Sequence, residues 1–286
     1  MESANASGKL VIVPTPIGNL GDMTLRSLEA LREADVVCAE DTRVTGKLLA
    51  HFGIEKRLVR LDEAMIGSRA AGVVERVAAG EVVAYCSDAG MPGVSDPGLR
   101  LVAAAREAGV AVEVLPGASA AACAYVASGT VCPRFYFGGF FPRKDVERKA
   151  ALDALRTLDA ALIFYESPNR VASALESMAQ AFPLREAAVC RELTKLHEEV
   201  VRAPLPDLRD EFARRAQEGS IKGEIAIVID EPSAAEEDAA QLDAAKVARA
   251  RAAELKAEGA RNKEIAKAIA AETDADFFSI RCSDIV

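Results

Sequence analysis

Residues 87–98, SDAGMPGVSDPG, place three glycines, two prolines and two aspartates directly after the apolar run EVVAYC. Glycine lets a backbone approach a ligand closely and adopt positive φ. Proline stiffens a loop, so its amides are presented at small entropic cost. Asp88 and Asp96 can accept hydrogen bonds from a ligand or cap the next helix. The competing reading is two consecutive turns, since these residues are common punctuation. Two other clusters, EDTR at 40–43 and ELTKLHEE at 192–199, set carboxylates beside cations. Such groups can position a hydroxyl, take its proton or clamp a phosphate. Lys195 can lower the pKa of a hydroxyl, or act as base if burial depresses its own. Arg43 and Arg170 carry forked donors suited to phosphates, while Glu40 and Asp41 can position a hydroxyl or simply orient Arg43. An ordinary ion pair competes with catalysis at each position. His197, flanked by Glu198 and Glu199, reads as a surface residue more readily than as a catalyst. With two histidines and six cysteines that form no C-x-x-C pair, no metal site is expected. Buried free thiols in a reducing cytoplasm are the expected state of the cysteines.

These loops need rigid elements behind them. Short β-branched runs at 9–13, 36–39, 81–86 and 110–115 each lead into a loop and then a helical pattern, as Leu25, Leu28 and Leu31 show. That alternation predicts a mostly parallel sheet covered on both faces. Ligands of open α/β sheets bind at the carboxyl ends of the strands. Neither G-x-G-x-x-G nor G-x-x-x-x-G-K-[ST] occurs, so the loops suit a ligand other than those that these two motifs bind.

The 286 residues suggest about two domains. We expect an N-terminal α/β domain at 8–130 and a second α/β domain at 131–230, with strands at 161–166, 187–193 and 224–230. An acidic linker at 231–243 and a small helical tail at 244–286, broken near Glu258 and Gly259, complete the plan. The formal charge of -9 excludes a simple polycationic coat for nucleic acid, while leaving room for a local basic patch. No apolar run is long enough for a membrane span, and no secretion signal is visible, so a cytoplasmic protein is expected.

Seven motifs occur in one order: PTPIGNLGDMTLRSLEAL, AEDTR-x-TGKLL-x-HFGI, SDAGMPGVSDPG, LPGASA, GGFFPRK, FYESP-x-R and RELTK-x-HEE. Over residues 9–230 the chain thereby resembles the bacterial 16S ribosomal RNA ribose 2'-O-methyltransferases, a branch of the tetrapyrrole methylase superfamily. The resemblance implies two α/β domains that bind S-adenosylmethionine in the cleft between them, a homodimer, and a cytidine in the decoding region of the small subunit as target. It implies donor contacts from Pro16, Gly18, Asp88, Ala89, Gly90 and Val94, with Ser119 and Ala120 nearby. The adenine is expected against Tyr165, Glu166, Leu193 and Thr194, with Gly223 and Glu224 at its edge. Tyr165 has an equal competing role as a core aromatic. Lys195, Glu40 and Arg43 are the catalytic candidates. Arg143, Lys144 and Arg170 are the RNA-contact candidates.

The chain departs from the family pattern where histidines are usual: Val44, Asn169 and the run LDEAMIG at 61–67. All three are expected in substrate-side loops, which speaks against a histidine-based mechanism. Five of the residues 135–141 are aromatic beside Arg143 and Lys144, a mixture suited to stacking and phosphate contact. For Phe135 and Phe137 an interior strand is expected instead. The tail, rich in basic residues, reads as a helical RNA-contacting module or as a solvated helix pair. Two other functions stay open from sequence: a small-molecule C-methyltransferase of tetrapyrrole type, and a non-catalytic RNA-binding protein of the same fold. The stretch DADFFSIRCSDIV fits no pattern of the family.

Overall fold

The computed structural model describes residues 8–258 and 260–273. Strands β1 (Lys9–Ile12), β2 (Val36–Ala39), β3 (Leu58–Arg60), β4 (Val82–Cys86) and β5 (Ala111–Val114) form a sheet in the order β3-β2-β4-β1-β5. Every pairing in it is parallel. Helices α1 (Leu25–Glu33), α2 (Thr42–His51), α3 (Glu63–Ala78), α4 (Leu99–Glu107) and α5 (Ala120–Ala127) follow the strands in turn. Alternation along the strands sorts the core into two faces. Leu10, Ile12, Val36, Cys38, Val83 and Tyr85 pack under α3 and α4 through Ile66, Val73 and Leu101. Val11, Val37, Ala84 and Cys86 pack under α1 and α2 through Leu28, Leu31, Leu48 and Leu49. Burial on both faces is why these strands read as unbroken apolar runs.

The second sheet has the order β6-β7-β10-β8-β9, built from β6 (Phe135–Phe140), β7 (Ala161–Glu166), β8 (Glu186–Arg191), β9 (Glu199–Pro204) and β10 (Ile225–Ile229). Only β6 with β7 is parallel; the other pairings are antiparallel. One face is covered by α6 (Asp145–Ala154), α7 (Val171–Ala181) and α8 (Leu205–Glu218), through Leu152, Leu175, Met178 and Phe212. The other face carries Ala161, Ile163, Cys190 and Val228 against Ala121 and Ala124 of α5 and against Ile17. Both sheets lie in one compact unit that ends at Glu231. The second unit, from Pro232 onward, contains α9 (Ala234–Ala257) and α10 (Asn262–Thr273), joined by a small cluster of Ala252, Ile265 and Ile269.

Four expectations change. Residues 61–67 are no loop: Asp62 caps α3, accepting from the Met65 amide at 3.0 Å, and Ile66 is fully buried. Val44 sits inside α2, so among the three departures only Asn169 lies in a turn. The expected linker is helical from Ala234, because Ser233 and Glu236 form a reciprocal capping box. Phe135 is 48% exposed, its ring tilted against that of Tyr125 with centres 4.8 Å apart, because β6 is an edge strand rather than an interior one. Residues 274–286, including the unusual ending and Cys282, lie outside the described residues. Cys38, Cys86, Cys123, Cys132 and Cys190 are free thiols. No helix among the described residues is long and apolar enough to cross a membrane.

Candidate active site

All five strands of the parallel sheet deliver their loops to one edge, as parallel pairing requires. Two loops are tied together there. Thr15 and Gly90 exchange backbone hydrogen bonds, each 3.0 Å, so the segment after β1 and the segment after β4 form a single wall. Gly90 has φ +74, and a Cβ there would meet Ile17 Cγ2 at 3.2 Å. A side chain would therefore be strained and would press on its neighbour.

Behind this wall lies a cavity of about 460 Å³, within the roughly 300–1,000 Å³ typical of ligand sites. The first sheet contributes Ile17, Glu40, the loop 88–96, and Ser119 and Ala120 at the start of α5. The second contributes Phe140, residues 165–168, Cys190, Leu193 and residues 223–226. Three non-glycine residues with positive φ, Ser95, Glu192 and Thr194, sit in the loops around it. Strain of this kind costs about 1–3 kcal/mol per residue and persists where surrounding structure enforces it.

Carboxylates dominate the polar lining. Glu40 accepts from the Asp88 amide at 3.2 Å, and Asp88 accepts from the Asp41 amide at 3.0 Å, crossing between loops. Burial, with help from neighbouring carboxylates, raises the pKa of Glu40 and Asp88 from their ordinary values despite the backbone hydrogen bonds each accepts. For Asp96, burial and then the charges of Glu40, Asp88 and Glu224 push the carboxyl up to about 7. Asp96 does not cap α4, whose N-cap is Gly98. Glu166 is buried; its Oε1 pairs with Arg170 at 2.5 Å and accepts from the Ser167 amide at 2.6 Å. Its Oε2 has no partner among the described residues. A buried acceptor left open is costly and invites a ligand donor. The Tyr165 hydroxyl is pushed up to about 12 by burial, and its ring packs against Phe137 and Phe140 at 4.9 and 5.6 Å. It therefore serves as both core aromatic and cavity wall.

Among the expected donor contacts, Asp88, Ala89, Gly90, Val94, Ser119, Ala120, Tyr165, Glu166, Leu193, Gly223 and Glu224 line this cavity. Pro16 and Gly18 do not; they line a smaller neighbouring chamber that shares Asp88. Thr194 falls just outside the lining, its hydroxyl buried and without a partner among the described residues. Of the catalytic candidates, Glu40 is in the cavity. Lys195 lies against Gly18, where a Cβ would come within 2.3 Å of its side chain. It donates to Glu192 at 2.8 Å and Glu224 at 2.9 Å. Burial lowers its pKa, yet these hydrogen bonds outweigh burial and leave it raised. The depressed pKa that a lysine base needs is thus absent. Arg43 folds back on Asp41 with its side chain 86% exposed, and Asp41 is held well below the usual carboxylate range by that pairing. Arg170 pairs with Glu166 through Nη2 while its buried Nη1 has no hydrogen-bond partner among the described residues, and Lys144 pairs with Glu147 at 2.9 Å on the surface near exposed Arg143. His197 is exposed in a turn. Ile17, Phe140 and Cys190 were not among the expected contacts, and Asp96 was expected only as an acceptor for a ligand or a cap for the next helix. Asp96 had a sequence signal in its Gly/Pro loop, whereas the other three are ordinary apolar residues at strand or loop ends.

Comparison with known proteins follows this geometry. Residues 9–209 match the family of Tetrapyrrole (Corrin/Porphyrin) Methylases. A ribosomal RNA small subunit methyltransferase I of Halalkalibacterium halodurans is 39% identical over 93% of this chain and 90% of its own. One from Escherichia coli O157:H7 is 42% identical over 82% of each chain. Among solved structures, a diphthine synthase superposes with a TM-score of 0.59 at 19% identity, covering 78% of this chain and 90% of its own. That last likeness concerns the fold.

Proposed function

Because the chain belongs to the ribosomal RNA small subunit methyltransferase I family of tetrapyrrole-type methylases, we propose that it transfers the methyl group of S-adenosylmethionine to a ribose 2'-oxygen, that of a cytidine in the decoding region of 16S ribosomal RNA. It is a methyltransferase of small-subunit ribosomal RNA, acting in the cytoplasm. The observation that carries the donor assignment is the cavity itself. Its closely approaching glycine wall, its open Glu166 oxygen and its carboxylates suit a ligand that has a cation, hydroxyls and an amine.

Asp88, Ala89, Gly90, Val94, Ser119 and Ala120 would hold the methionine and ribose side of the donor. Tyr165, Glu166, Leu193, Gly223 and Glu224 would hold its adenine, with Glu166 Oε2 accepting a donor hydrogen bond. When bound, the donor supplies an electrophilic methyl carbon on a sulfonium. Transfer then needs the ribose oxygen aligned and its proton removed. Glu40, Asp88 and Asp96 supply carboxylates on that wall, and Asp96 titrates near neutrality, where a base works best. The Lys195 cation, fixed by Glu192 and Glu224, stabilises developing negative charge on the oxygen instead of taking its proton. Arg143 and Lys144 contact RNA phosphates, and the stretch 244–271, in which basic residues outnumber acidic ones, adds further cations. Pairing into a homodimer is supported by exposed Val126, Val131, Phe135 and Tyr136, an apolar set beside α5 and β6.

The test offers tritiated donor with small subunits lacking the modification, with naked 16S RNA, and with uroporphyrinogen. Label in RNA supports the reading. Label in the porphyrinoid, with none in RNA, overturns it.

A further inference from the structure

Beside the donor cavity, on the same edge of the parallel sheet, lies a second chamber of about 340 Å³. Asp88 lines both spaces. The second chamber has two polar groups with nothing to bind: Thr45 and Ser87 are each 1% exposed, and neither hydroxyl has a hydrogen-bond partner among the described residues. A buried hydroxyl can donate one hydrogen bond and accept others, so leaving two unpaired in one lining is costly unless a ligand completes them. The rim is apolar, formed by exposed Leu20 and Val44. Lys47, also in the lining, makes no hydrogen bond or ion pair with the described residues.

Apolar walls, hydroxyls at depth and one cation at the edge fit a planar heterocycle with a polar edge, carried on a phosphate backbone. A free phosphate would use the cation but leave the walls and the deep hydroxyls unused. We propose that this chamber is the subsite of the target nucleoside. The base, turned out of its strand, enters past Leu20 and Val44, its hydrogen-bonding edge meets Thr45 and Ser87, and Lys47 holds an adjacent phosphate. The ribose is thereby brought to Asp88, at the junction with the donor. Enzymes that work on a single nucleotide commonly extrude it in this way, and unpaired bases in RNA are read along their polar edges. The assignment rests on the RNA methyltransferase reading above.

The experiment compares the wild type with Thr45→Val/Ser87→Ala and with Val44→Phe, which narrows the entrance from an exposed helix position. Donor Kd is read by calorimetry, methyl transfer to unmodified small subunits by steady-state kinetics, and folding by thermal melting. Both variants are expected to keep donor Kd within about twofold while kcat/KM for the subunit falls roughly tenfold or more, as loss of a polar base contact gives. Melting of the double variant should hold or rise, since it deletes two unpaired hydroxyls. Full kcat/KM in both variants overturns the chamber assignment alone. A parallel loss of donor affinity also overturns it, by giving the chamber to the donor. A wild type that binds donor but methylates no RNA overturns the parent reading instead.

Discussion

Asp96 titrates near neutrality because its cavity is partly closed to water and already holds Glu40, Asp88 and Glu224. A sulfonium placed in that cavity favours the ionised carboxylate, so below about pH 7 donor binding releases a proton. Affinity must then rise with pH and level off once Asp96 is already ionised. With the carboxyl at about 7, roughly a tenth is ionised at pH 6 and nine tenths at pH 8, which limits the gain to about tenfold over that range. The amino group of the donor also titrates, but S-adenosylhomocysteine carries the same amine without the positive sulfur. The ratio of the two affinities therefore isolates the sulfonium. Calorimetry at pH 6, 7 and 8 should show S-adenosylmethionine gaining up to about tenfold over S-adenosylhomocysteine, and Asp96→Asn should hold the ratio flat. A wild-type ratio constant over this range would refute the reasoning, as would an Asn variant that keeps the full dependence. Stability should move the opposite way. A carboxyl raised in the folded state loses stability as pH climbs from its unfolded value through about 7, so Asp96→Asn should gain most in urea denaturation above that point.

Gly90→Val forces a β-branched residue to φ +74 and presses on Ile17. Calorimetry should show donor affinity reduced by about fivefold to a hundredfold, if roughly 1–3 kcal/mol of strain falls on the binding-competent loop; unchanged affinity would remove this loop from the donor site. Glu166→Gln breaks the pair with Arg170 and should lower unfolding free energy by about 2–3 kcal/mol, below the range for fully buried pairs because Arg170 is partly exposed. A loss below about 0.5 kcal/mol in urea titration would contradict that. Arg143→Glu with Lys144→Glu should weaken RNA binding and flatten its salt dependence by up to about two phosphate equivalents, leaving donor Kd unchanged. An unaltered salt slope would return both residues to ordinary surface.

The parallel sheet was legible because burial on both faces leaves a continuous apolar run, as at Val36–Ala39. Edge strands left weaker marks. Leu58–Arg60 is three residues long and half-exposed, and Glu199–Pro204 alternates with one face in water. The helical start at Ala234 had a readable signal in Ser233 and Glu236, which the acidic composition around it obscured. Aromatic content at 135–141 could not say which rings face inward, because that depends on β6 lying at the sheet edge. The Gly/Pro loop that lines the cavity was legible from its own residues. The state of Asp96 was not, since its perturbing charges come from positions 40, 88 and 224. Lys195 teaches the same lesson: Glu192 is a near neighbour in sequence, but Glu224 reaches it only through the fold.

The central claim, methylation of a ribose oxygen in small-subunit RNA, is tested most directly by nucleoside mass spectrometry. Unmodified small subunits are treated with the protein and isotopically labelled donor, and the RNA is digested. Label retained on the sugar fragment of cytidine from the decoding region is the predicted result. Label on the base fragment, or no label in RNA from a protein that binds the donor, would contradict the account.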